Sequence, residues 1–228
     1  MAVSHSRYVT TSNLQEKTDV WLSNLAGSRG RKPLNVAAKA ALVVLDLQRI
    51  FCDPASPAFL PAWPASRLQC LALIDFFLKT GRPVVFTRHI HQEKSGGVLE
   101  HFFTRLIRPT DPYSEFAPEV QSYLEKAIVL DKDRFSAWSN ARLATSLRQC
   151  NTVVLAGVQT QLCVLSTALG AADFSFVPVV VADACAAPNE SLHVAALTVL
   201  AAGHAHVASA DEIIAGLAPR ENLDAPPV

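Results

Sequence analysis

Ala41-Leu42-Val43-Val44-Leu45-Asp46 is apolar up to its last position and closes on an acid. A short run of this kind suits a strand buried on both faces of a parallel sheet, where neither face meets water and the polar alternation disappears. Working outward, similar runs recur at Pro83–Thr87, Ala127–Leu130, Thr152–Ala156, Val177–Ala182 and His206–Ala208. Helical spacing fills the gaps. Ala65–Thr80 carries Leu68, Leu71, Ile74, Phe77 and Leu78 on one side, with Gly81 placed as a C-cap. One helix is expected near Leu99–Ile107, within the polar stretch His89–Glu125. Ser139 is expected to cap another through Arg148. Leu162–Asp173, Asn189–Ala202 (followed by Gly203) and Asp211–Leu217 complete the set. Six strands separated by helices predict an α/β fold in three layers, Rossmann-like, with a mostly parallel sheet, right-handed crossovers and helices on both faces.

Residues 1–39 read as an N-terminal extension with one helix over Asn13–Leu25, capped by Thr11 or Ser12, and a linker at Gly27–Pro33. Leu14, Trp21, Leu22 and Leu25 form a stripe too narrow for independent folding, so the helix should pack on the body or on a neighbouring subunit. Residues 40–228 form the main domain. The 228 residues carry 20 basic and 20 acidic groups, a balance that argues against nucleic acid or an anionic membrane as partner. Half the residues are hydrophobic and mean hydropathy is +0.23, which suits a homo-oligomer, dimer or tetramer, that hides apolar surface between subunits. The cysteines (Cys52, Cys70, Cys150, Cys163, Cys185) are odd in number and form no CxxC pair, so neither a disulfide framework nor a zinc knuckle is expected. No apolar core of signal-peptide length opens the chain and no run is long enough to span a membrane, which makes a cytoplasmic protein the expectation.

In open parallel sheets the working site lies beyond the carboxyl ends of the strands, near a reversal of strand order. Asp46 ends the first strand, Lys132 follows the third, and Gly157–Cys163 follows the fourth, so an acid, an amine and a thiol converge on one sheet edge. Cys163 lies where a strand turns into a helix; the macrodipole and a nearby Lys132 would favour its thiolate. The plainer readings are a buried structural cysteine, an Asp46 that binds loop amides, and a Lys132 belonging to the solvated run Asp131–Arg134. Backbone N–H groups of the Gly157–Cys163 turn could meet a developing oxyanion. No GxGxxG, GxxxxGK[ST] or GxSxG motif is present, so neither a nucleotide cofactor nor a serine elbow is expected.

The chain resembles the isochorismatase-like, or cysteine hydrolase, superfamily. Ala41–Phe51 resembles its strand ending in D-x-Q-x-x-F. Lys132–Trp138 resembles K-x-x-x-S-A-F, with Trp138 for Phe. Ala156–Val164 resembles G-V-x-T-x-x-C-V. The match runs over roughly Ala40–Leu217. It implies the strand order 3-2-1-4-5-6, Cys163 as nucleophile, Asp46 as proton acceptor, Lys132 as the stabilising charge, and a cis bond between Val158 and Gln159. The N–H groups of Gln159 and Cys163 would then form the oxyanion hole. The implied activity is hydrolysis of a C–N bond in a small amide, carbamoyl or ureido substrate through a thioester. A vinyl-ether hydrolase and a non-catalytic scaffold are the alternatives. Nicotinamidases of the superfamily bind a metal through T-x-D-x-H; here Thr87-Arg88-His89-Ile90-His91 puts His89 where the acid belongs, so no metal is expected. Gln48, Phe51, Arg88, His91, Trp138 and Gln159 are the candidate substrate contacts, with Phe59, Trp63, Phe102, Phe103 and Phe135 as further wall candidates. His193, His204 and His206 read as structural.

Overall fold

The computed structural model describes residues 4–27, 39–92, 97–103 and 106–218. Among them are β1 (Ala40–Leu45), β2 (Val84–His89), β3 (Ile128–Lys132), β4 (Thr152–Val158), β5 (Val177–Ala186) and β6 (His206–Ala208). All pair in parallel in the order β3-β2-β1-β4-β5-β6, the expected order, with no antiparallel member. Every residue of β1 and β4 is buried whichever face it points to, so both faces of the sheet are covered and the runs need no polar alternation. β5 continues four residues past its expected end. Asp183 stays inside it because its carboxylate accepts the Ala210 N–H at 2.9 Å, so an acid that reads as a strand end is satisfied within the strand.

The described helices are α1 (Leu14–Asn24), α2 (Arg49–Cys52), α3 (Trp63–Lys79), α4 (Gln121–Leu124), α5 (Arg142–Ser146), α6 (Leu165–Gly170), α7 (Glu190–Ala201) and α8 (Ala210–Leu217). Gly81 follows α3 at φ +67°, the left-handed conformation its position demands. Four helix expectations need correction. Near Leu99 only a 3-10 turn, Gly97–His101, forms. Leu99 is its one buried residue while Phe102 and Phe103 are exposed, so there is no apolar face to dock a longer helix; Thr104 and Arg105 lie outside the described residues. Ser139 does not cap α5. It closes a 3-10 turn capped by Ser136, and the Asn140 side chain accepts the Arg142 N–H at 3.0 Å instead. The Leu162–Asp173 helix is broken into a π-turn (Thr160–Val164), α6 and a 3-10 turn (Ala172–Phe174). Asn13, not Thr11 or Ser12, sits at the N-cap of α1, and its Oδ1 is taken by the Thr10 N–H at 2.7 Å. Apart from Gly27, the expected linker lies outside the described residues. Among the described residues no helix is long and apolar enough to cross a membrane.

Candidate active site

The chain leaves β1 towards β2 and β3, then returns to the other side of β1 with β4, so a crevice opens at the carboxyl ends of β1 and β4. Asp46 follows β1 with φ +54°, a left-handed conformation that a non-glycine residue adopts at a cost and that recurs at functional sites. Across the crevice β4 ends in a cis peptide between Val158 and Gln159, and the π-turn carries Cys163 as its fourth residue. Lys132 ends β3, two strands from β1, and its stem crosses β2 beside its register partner His89.

The ammonium of Lys132 is the hub. Its Nζ lies 2.8 Å from Asp46 Oδ2, 3.0 Å from His89 Nδ1, 3.0 Å from the Arg134 carbonyl and 3.3 Å from Cys163 Sγ. Three N–H groups therefore serve four acceptors, with the sulfur the most distant. Asp46 accepts the Thr87 hydroxyl at 2.7 Å on Oδ1. Its Oδ2 faces the Lys132 ammonium at 2.8 Å and, having two lone pairs, keeps one available to a thiol proton.

Burial pushes the Cys163 thiol well up, Asp46 adds to the rise, and Lys132 opposes it. Cys163 lies buried in the first turn of the helical stretch that runs from the π-turn into α6. Burial works against the charge of Lys132, but Asp46 and Cys163 outweigh it and hold its pKa above the ordinary lysine value. His89 is pushed down to about 2, first by burial and then by Lys132. A neutral imidazole accepts at Nδ1 from Lys132, so its Nε2 carries the hydrogen and donates to His91 Nε2 at 3.1 Å.

These buried histidines make stability depend on acid. His89 and His193, held at about 2 and about 3, stay neutral in the fold but charge below about pH 6.5 when unfolded. Their contribution is intact above that pH and is lost as pH falls towards the folded values. Asp183, raised to about 6 chiefly by burial, has the opposite sign and recovers part of the loss. The net expectation is about 3 kcal/mol less stability at pH 4.5 than at pH 7. Urea unfolding at the two pH values measures it, and equal midpoints would show that neither histidine is buried neutral.

An isochorismatase domain model matches residues 40–212. The chain belongs to the isochorismatase-like cysteine hydrolase superfamily. A curated relative, nicotinamidase 3 of Arabidopsis thaliana, is 31% identical over 179 residues, covering 76% of this chain and 86% of the relative. A cysteine hydrolase from Pseudomonas syringae superposes with TM-score 0.76 at 20% identity, over 82% of this chain and 98% of that one. The pyrazinamidase of Pyrococcus horikoshii, solved in complex with zinc, superposes with TM-score 0.65 at 25% identity, over 75% and 99%.

The residues of this isochorismatase-family hydrolase do not fit such an ion. Among the described residues one grouping of potential ligands is close enough to share a metal: Asp46, His89 and Cys163. Lys132 already places a cation against all three, at 2.8, 3.0 and 3.3 Å. The other candidates, His89 and His91, bond each other through Nε2, and two imidazoles do not complete a site.

Asp46, Lys132 and Cys163 thus come together, and His91 joins them through His89. Other candidates do not. Both amide hydrogens of Gln48 are spent on the His89 and Ser114 carbonyls and its oxygen takes the His89 N–H, so it ties loops together rather than facing a substrate. Arg88 forms a bidentate pair with Asp131, at 2.8 and 3.0 Å. Trp138 donates to the Thr167 carbonyl at 2.7 Å and stacks on Phe174 and Phe176. Phe51 packs against the core, and Trp63 is fully buried. The Gln159 side chain accepts from Gln161 at 2.7 Å. Phe135 lies 6.2 Å from His89 between ring centroids, with Phe103 beyond it at 5.9 Å, so these two aromatics flank the cluster. Sequence reasoning missed His89 as a member of the cluster and Thr87 as the partner of Asp46. The signal was present: Thr87 is in register with Leu45, next to Asp46, and His89 with Lys132.

Proposed function

We propose that the protein is a cysteine-dependent amidohydrolase that cleaves the C–N bond of a small amide, carbamoyl or ureido substrate through a thioester. The observation that carries this reading is the buried Lys132 ammonium that touches Asp46 and Cys163 together. The kinship to a nicotinamidase supports it. Burial disfavours a free thiolate, so attack and proton loss are coupled. The S–H proton passes to the open lone pair of Asp46 while sulfur bonds to the carbonyl carbon, and Lys132 keeps its charge beside the developing thiolate. The oxyanion is met by the N–H groups of Gln159 and Cys163, a contribution often worth ~3 kcal/mol per donor. Asp46 returns the proton to the departing nitrogen, the C–N bond breaks, and ammonia or an amine leaves the acyl group on sulfur. Asp46 then takes a proton from water, the hydroxide equivalent breaks the C–S bond, and the proton returns to Cys163 as the acid departs. His89 is neutral throughout and keeps Lys132 aimed; Phe135 and Phe103 wall the substrate side.

An ammonia-release screen over nicotinamide, simple aliphatic primary amides and ureido acids tests the reading. Turnover is expected in at least one class, with acid-quenched enzyme showing an acyl adduct on the Cys163 peptide. Turnover with that peptide unmodified, or no ammonia from any class, would overturn it.

A further inference from the structure

Residues 4–27 lie outside the stretch that the family model matches, yet they grip the body at the root of the cysteine-bearing turn. Trp21 of α1 packs on His193 of α7 with ring centroids 4.6 Å apart, and Tyr8 covers the same imidazole at 5.7 Å. The grip is also polar. Glu190, the first residue of α7, takes Lys17 Nζ at 3.0 Å and the Trp21 indole N–H at 2.9 Å, and the Ser6 N–H donates to the Pro188 carbonyl at 2.8 Å. His193 has no exposed surface. Its Nδ1 lies 3.0 Å from Thr160 Oγ1, and its Nε2 has no polar partner among the described residues, so Thr160 is its one side-chain tether there. Burial holds the imidazole neutral, which lets it accept the threonine O–H. Thr160 is itself fully buried and begins the π-turn that carries Cys163.

We propose that the N-terminal segment is part of the catalytic scaffold: Trp21 and Tyr8 clamp His193, and His193, through Thr160, holds the turn that presents Cys163 to Lys132 and Asp46. Trp21, His193 and Thr160 are positioning residues, since the sulfur's own partners are Lys132, His89 and Asp46. The inference rests on Cys163 being the nucleophile. It gives α1 a task within its own chain that packing stability alone would not require.

The test reads the sulfur directly and needs no substrate. The full chain is alkylated with iodoacetamide at pH 7.5, and labelling of each cysteine is followed by peptide mass spectrometry in the parent, Thr160→Val, Trp21→Leu and the double variant. Thr160→Val removes the hydroxyl at nearly constant shape, and Trp21→Leu removes the clamp while filling much of its volume. Each single change should slow Cys163 labelling about 10-fold, and the double variant should be no slower than the slower single, because the two act along one path. Labelling of Cys52, Cys70, Cys150 and Cys185 should stay at the parent rate. An unchanged Cys163 rate in Trp21→Leu, a multiplicative loss of about 100-fold in the double variant, or faster labelling of all the cysteines together would overturn the proposal. Should Trp21→Leu fail to fold, Glu190→Gln, which loosens the hold of Lys17 and Trp21 on α7, takes its place with the same expectations. A parent in which Cys163 labels no faster than the equally buried Cys52, Cys70 and Cys185 would count against the nucleophile assignment instead, so the two failures are distinguishable.

Discussion

Cys163→Ala is expected to lower kcat by at least about 10⁴-fold while the fold stays intact. A covalent route has no substitute for its nucleophile, and members of a catalytic unit fail together when that group is removed. The structural cost is small. The sulfur is in contact with Lys132, but Asp46, His89 and the Arg134 carbonyl remain to satisfy the ammonium. The loss is then little more than one buried atom, about 1 kcal/mol, or a few degrees in melting temperature for a chain of this size. Lys132→Met makes the contrast. It removes the charge and leaves Asp46 in a site with no exposure, a break that typically costs about 3–5 kcal/mol. Activity and melting temperature should fall together there, whereas in Cys163→Ala only activity should fall. Circular dichroism melts beside single-turnover assays separate the two patterns. Residual turnover above about 1% in Cys163→Ala would end the covalent reading.

The second large effect is at Gly157, which carries no side chain at all. Gly157 lies in β4 at φ +107°, and a Cβ there would come within 2.2 Å of the Leu45 carbonyl oxygen and 2.7 Å of the Leu45 nitrogen. These are backbone atoms of β1, the neighbouring central strand, so no side chain can swing aside. Gly157→Ala therefore combines overpacking with a disfavoured backbone conformation and should cost at least about 4 kcal/mol. It should also inactivate, because Leu45 immediately precedes Asp46 and the strand must shift to make room. Gly81→Ala is the control. Gly81 also has positive φ, at +67°, but nothing lies within 4 Å of a Cβ there, so only the conformational cost of about 1 kcal/mol applies. Equal melting temperatures for the two alanine variants would show that β1 and β4 are not so closely apposed.

His89 illustrates what a linear reading could not reach. Along the chain it is a histidine in a T-x-D-x-H-like stretch and raises a question about metal. In the fold it is the register partner of Lys132 and accepts from its ammonium. Asp183 makes the same point, since it reads as a strand terminus and is instead buried within β5 by a partner 27 residues on. Gln48, Arg88 and Trp138 read as free polar or aromatic contacts, but loop carbonyls, an exposed carboxylate and a helix had already claimed them.

The succession of strands and helices along the chain, and the arrival of Asp46, Lys132 and Cys163 at one sheet edge, followed from local patterns: short apolar runs alternating with helices suit a parallel sheet covered on both faces, and such sheets work at their carboxyl ends. The protonation states, the seating of Lys132 among its acceptors, and the docking of α1 over His193 were decided by tertiary structure alone. Those properties depend on which partners, dozens of residues apart, surround a given polar group, and no short stretch of chain encodes that.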